Sequence, residues 1–219
     1  MALFRDGYGC CDGFMPLTSI EDYLLWIGAI GASGFLIVVL IEGWIRPGYS
    51  PVRHPVSALA LSRRGWIQMA NFAVAGIAIT VGAIGVLLQG IGLIFALSIM
   101  VFGVGLACSA FSMDPSRGYP PGAPAGDPAQ PSWNHRLHDL AGAVVFFSLP
   151  VVALVAVFAL PVWWMKLIAG ATVAWLCVAI HFWDKAWEND SPRTGLAQRA
   201  FIVPGWLWLA SVFSVLAAA

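Results

Sequence analysis

Residues 132–160 read SWNHRLHDLAGAVVFFSLPVVALVAVFAL, a polar cap carrying His135, His138 and Asp139 followed by a run with no charged residue from Leu140 to Leu160. About 20 apolar residues in helical form cross the roughly 30 Å hydrocarbon core of a bilayer. The run is continuous rather than alternating, which predicts a transmembrane helix and excludes a barrel strand. His135, His138 and Asp139 occupy i, i+3 and i+4 at one end, on one face of the first turns.

The rest of the chain repeats this pattern. Of 219 residues 60% are hydrophobic and only 10% charged, against roughly a quarter charged in soluble domains. Besides the run over about 137–160, apolar runs cover about 23–45, 67–88, 91–112, 162–183 and 201 to the C-terminus. They predict an all-α, polytopic bundle of six transmembrane helices as one domain over residues 22–219, with residues 1–21 an extramembrane segment. Gln89-Gly90 and Pro161 leave room only for tight turns, so the second and third runs, and the fourth and fifth, form antiparallel hairpins.

Six spans put both termini and the tight turns on one side. That side carries only Arg5 and Lys166, whereas nine of the 11 Lys and Arg residues fall on the other. The positive-inside rule therefore places the long loops, about 46–66, 113–136 and 184–200, in the cytoplasm and both termini outside. No secretory signal is read, because residues 1–21 hold Arg5, Asp6, Asp12 and Glu21 and no apolar core. Zero formal net charge gives no field for nucleic acid. Cys10 and Cys11 are adjacent, while Cys108 and Cys177 lie in apolar runs, which is neither a disulfide nor a zinc pattern.

His54, His135, His138 and His181, with Asp114, Asp139, Asp184 and Glu42, all fall at the cytoplasmic end. The span interiors hold almost no ionisable groups, which argues against a conduction path, and no histidine pairs exist at two depths for a pair of haems. Pro55 is placed to start a short interfacial helix through Ala58, Leu59 and Leu61. His54 and Ser57 then either face the bundle mouth or belong to a surface anchor whose arginines meet lipid phosphates. Asp114-Pro115 ends the third helix, and a carboxylate at a helix C-terminus calls for a cation such as Arg136 or Arg53. From Arg117 to Pro131 the Pro, Gly and Ala content predicts a mobile or extended loop, either a linker or a lid. Gln198 and Arg199 precede the sixth helix, where Arg199 pairs with an acid or a lipid phosphate.

The cluster admits three readings. One is a metal site for Zn or Fe, held by His135, His138 and His181 or Asp114, with Asp139 orienting a histidine. Another is a set of hydrogen-bonded pairs, including Asp184, that receives the head group of a lipid or other amphiphile. The third is a structural polar cap.

Arg46-Pro-Gly-Tyr49 with Pro55-Val-Ser57, Gly65-Trp66, Asn71-Phe72, Asp114-Pro115, His135-x-x-His138-Asp139 and Gln198-Arg199 follow one another in an order that resembles the bacterial six-helix membrane proteins of domain-of-unknown-function family 998. The likeness runs from about residue 22 to the end and implies the six-span fold and a multi-pass protein of the bacterial cytoplasmic (inner) membrane. Ser57, Asp114, His135, His138 and His181 are also the residue types of intramembrane metal hydrolases, although the His-x-x-His spacing differs from their His-x-x-x-His. Two functions follow: a cytoplasmic-face pocket that binds, or also modifies, a lipid or amphiphilic small molecule, and an accessory or scaffold subunit among other membrane subunits.

Overall fold

The computed structural model describes residues 19–219; Cys10, Cys11 and most of the segment read as extramembrane lie outside them. Among the described residues the regular structure is helical: α1 Ile20–Ile45, α2 Gly65–Leu88, α3 Leu93–Cys108, α4 Trp133–Ala159, α5 Trp163–Glu188 and α6 Thr194–Ala217, with a 3₁₀ turn at Val56–Ala60. Five of the six are long and apolar enough to cross a membrane.

The sixth, α3, has 16 residues, about 24 Å at 1.5 Å per residue, shorter than the apolar run that encodes it. Gly90, at φ 71°, carries the chain through a left-handed turn before α3 starts. At the other end Ser109 leaves the helix, its amide and hydroxyl both spent on the Gly105 carbonyl. Conversely, α1 starts at Ile20, capped reciprocally by Ser19 and Asp22, so residues 20 and 21 are helical. The loop expected over about 184–200 shrinks to residues 189–193, because α5 runs on to Glu188 and α6 already begins at Thr194. There the Thr194 hydroxyl donates to the Ala186 and Ser191 carbonyls, closing the turn.

Each helix packs on its neighbours in sequence, and α6 closes on α1. The result is a ring of six antiparallel helices. Its axis is filled by aromatic side chains: Trp206 stacks on Phe35 with centroids 5.3 Å apart and meets Phe102 edge-on at 5.0 Å. Close approach relies on small residues, most tightly where Gly76 of α2 lies against Gly103 and Ala107 of α3, leaving no space for a β-carbon. Gly28 and Gly82 make a similar contact between α1 and α2, whereas Gly34 faces open space.

Gln89 ties one end together, donating to Asp22 at the start of α1 and to the Leu216 carbonyl at the end of α6. The three longer connections, 46–64, 109–132 and 189–193, therefore share the opposite end, called here the loop face.

Candidate functional site

The loop face is built on two buried arginines. Arg46, 4% exposed, pairs with Glu42 one turn earlier and donates to the Leu61 and Arg64 carbonyls at 3.2 and 3.1 Å and to the Ser62 hydroxyl at 3.0 Å. Arg64 completes the pairing with Glu42. Arg199 donates to the carbonyls of Pro51, His54 and Gly195 at 2.7, 3.1 and 3.0 Å and to the Tyr49 hydroxyl at 2.6 Å. A fork of fixed donors suits such convergent carbonyls, which the first loop offers because its prolines leave them outside any helix ladder.

Both guanidiniums are spent on protein groups rather than left open to lipid phosphate, and among the described residues Arg199 has no acidic partner. The 3₁₀ turn does start after Pro55, but Ala58, Leu59 and Leu61 are buried rather than interfacial. The turn lies against α1, α2 and α6, and the Val56 amide is held by Gln198 Oε1 at 2.7 Å. His54 is likewise buried and structural. Its Nδ1 accepts the Ser50 amide, and its ring packs between Tyr49 and Tyr119. Burial, followed by the charges of Arg53 and Arg199, holds the His54 pKa below the usual imidazole value, and burial raises that of Tyr49 against the pull of Arg199.

The second loop, over 109–132, is neither extended nor free. It folds on itself through the Arg117 amide to the Gly126 carbonyl, Gly118 to Pro124 and Ala123 to Pro120. Arg117 then fastens it. The guanidinium takes both carboxylate oxygens of Asp127 at 2.8 and 2.9 Å, reaches Asp190 at 3.3 Å and lies 3.7 Å over the ring of Trp187. Arg117 and Asp190 both adopt left-handed backbone conformations, at φ 51° and 46°, a strain of order 1 kcal/mol each. The Arg117 partner keeps the Asp127 carboxyl below the ordinary carboxylate range.

Beneath this loop lies a cavity of about 520 Å³, a volume typical of small-molecule sites. Phe35, Phe72, Leu106, Val145, Ile202 and Trp206 form its apolar part, with Phe35 and Trp206 shared with the aromatic plug of the ring. His135, His138 and Asp139 of α4 and Asp184 of α5 line it with Ser57 of the first loop, and Ser116, Asp127, Pro128 and Pro131 of the second loop complete it. Lining residues on α5 are Ile180, Trp183, Asp184 and Trp187, the spacing of one helix face.

The two histidines of α4 are set differently. His135 Nδ1 accepts the Asp114 amide at 2.8 Å, so its neutral ring carries the proton on Nε2, 3.2 Å from Asp139 Oδ2. His138 Nδ1 lies 2.9 and 2.8 Å from the Ser109 and Phe111 carbonyls. Two acceptors there require the proton on Nδ1, which leaves Nε2 a bare acceptor. Phe72 braces this ring edge-on at 5.8 Å.

The structure thus brings together His135, His138, Asp139, Asp184 and Ser57. Asp114 stands just outside the lining: its carboxylate accepts the Ser132 amide at 2.7 Å, and that bond keeps its pKa low. Arg136 and Arg53 are not its partners. Ser132 also caps α4 through the His135 amide. His181 is exposed one residue off the α5 lining face, about 100° around the helix.

The metal set of His135, His138 and His181 or Asp114 is therefore not assembled, and neither is the five-residue hydrolase constellation. Among the described residues no three His, Cys, Asp or Glu side chains gather in a way that holds an ion. The sequence reading passed over Arg117, Trp187 and Asp127 as functional residues. Their signal was faint: one arginine before a Gly/Pro run, and an aromatic three residues before an exposed aspartate.

Over residues 29–215 the chain matches the family described as protein of unknown function (DUF998), and it belongs to that family. Neither a curated protein nor a solved structure matches it.

Proposed function

We propose that this member of the DUF998 family binds a membrane amphiphile in the cavity at its loop face, with the polar end turned to the cytoplasm of a bacterial inner membrane. The observation that carries the reading is the cavity's division: one part is aromatic and aliphatic, the other is lined by His135, His138, Asp139 and Asp184. Such a site takes an apolar chain on one side and a head group on the other. Placement favours a membrane ligand, because Phe147 and Ala143 line the cavity and are exposed on α4, toward the bilayer side of the bundle. The excess of Lys and Arg on this face supports the cytoplasmic orientation.

The exposed apolar side chains of the bundle are accounted for by lipid contact, so the accessory-subunit reading has no separate observation in its favour. A chain-labelled photoreactive amphiphile tests the proposal in nanodiscs. Label is expected on the peptides carrying His138–Phe146 and Gln198–Trp206. Label confined to lipid-facing positions such as Ile94 and Phe158 contradicts it.

A further inference from the structure

The binding reading leaves the head group unspecified, and the charges around the cavity specify it. Asp127, Asp139 and Asp184 line the cavity, whereas among the described residues no lysine or arginine does. Asp127 is neutralised by Arg117, whose remaining donors go to Asp190 and the Trp187 carbonyl. Among the described residues Asp139 has His135 at 3.2 Å and the His138 ring within electrostatic reach, and Asp184 has no hydrogen-bond or ion-pair partner. Lys185 is within electrostatic reach of Asp184 but does not line the cavity, so an anionic head group would meet carboxylates in the lining and no cationic side chain there among the described residues.

A second, independent observation is His138. It is 7% exposed, lines the cavity and has its proton fixed on Nδ1 by two carbonyls. Its Nε2 has no hydrogen-bond partner among the described residues, so a residue that lines the cavity keeps a lone pair unspent. Gln198 and Ser57 add only neutral groups.

Resting on the binding reading above, we infer that the site selects an amphiphile with a protonated amine head group. The ammonium donates to His138 Nε2 and is neutralised by Asp139 and Asp184, while the chain lies against Phe72, Val145 and Trp206.

The test compares dodecylamine, dodecyl phosphate and dodecanol, titrated at pH 7 into the full chain in phosphatidylcholine nanodiscs. Gly142→Phe provides the subtraction for non-specific partitioning: Gly142 lines the cavity, and a β-carbon there meets nothing within 4 Å, so the ring enters empty space. Saturable binding of dodecylamine that Gly142→Phe removes is expected. The exposed-site pair Asp139→Asn/Asp184→Asn should weaken it about tenfold, and added salt should weaken it further. If dodecyl phosphate or dodecanol shows the Gly142-dependent binding as strongly as the amine, the head-group assignment is overturned and the binding reading survives. If none of the three shows it, both fall.

Discussion

Two proline-rich and glycine-containing loops meet at the loop face, where Tyr119 of the second packs against Tyr49 and His54 of the first, yet they are held in opposite ways. The first, over 46–64, is nailed from beneath by buried arginines to its own carbonyls, and its hydrophobic residues join the core. The second, over 109–132, covers the cavity and hangs on Arg117, whose acidic partners Asp127 and Asp190 are 53% and 74% exposed. Composition alone does not separate them. What separates them is where the arginine and its partners lie: Arg46 at the end of α1 and Arg199 in α6 act from buried positions, whereas Arg117 in mid-loop reaches exposed acids. A scaffold and a cover therefore lie side by side over one site.

The sharpest way to break this comparison is to remove each arginine. Arg199→Ala takes the guanidinium donor from the Pro51 carbonyl and one of the donors from the His54 and Gly195 carbonyls, and leaves the Tyr49 hydroxyl without its cationic partner in a buried site, a loss of about 3–5 kcal/mol. It is expected to lower the thermal midpoint strongly or prevent folding, and Arg199→Lys should not rescue it, because an ammonium lacks the fork. Arg46→Met is expected to rank next, at about 2–4 kcal/mol, because the buried Glu42 keeps only Arg64. Arg117→Ala should cost about 1 kcal/mol or less, since its acids are solvent-screened. Its effect appears instead in hydrogen exchange: the amides of Arg117, Gly118 and Ala123 should exchange at least about tenfold faster while those of His54 and Val56 stay protected. Equal midpoints for Arg199→Ala and Arg117→Ala would erase the distinction.

Acid gives the smallest contrast and orders the two loops by pH. Folding lowers the His54 pKa, so its contribution is present above the ordinary value near 6.5 and is lost as pH falls below it toward the folded value. Folding also lowers Asp114 and Asp127, so theirs is present above about 3.9 and is lost only as pH falls further. Protection in the first loop is expected to weaken as pH falls below about 6.5, ahead of any loss in the second loop from Asp114 and Asp127, which begins only below about pH 4. Simultaneous loss in both would contradict the separate anchoring.

The helices and much of the site were legible in the sequence because both rest on local rules. Long apolar runs decide the spans, and His135, His138 and Asp139 share a face by helical spacing alone. Ser132 at the start of α4 follows from capping preference. The loops were opaque because their fastenings join residues far apart: Arg199 to Pro51, Gln198 to Val56 and Arg117 to Trp187. No local propensity encodes those pairs. His181 misled because depth along a helix is readable from hydropathy, whereas rotation about the axis depends on which neighbours α5 packs against.

The central claim, that the cavity is a binding site rather than a packing defect, is tested most directly by native mass spectrometry of the wild-type chain and Gly142→Phe, prepared identically from the same membranes. The account predicts that the wild type retains about one equivalent of a membrane-derived amphiphile, that the variant retains none, and that their thermal midpoints after delipidation in the same detergent agree. Equal retention by both proteins, or none by either, would contradict it.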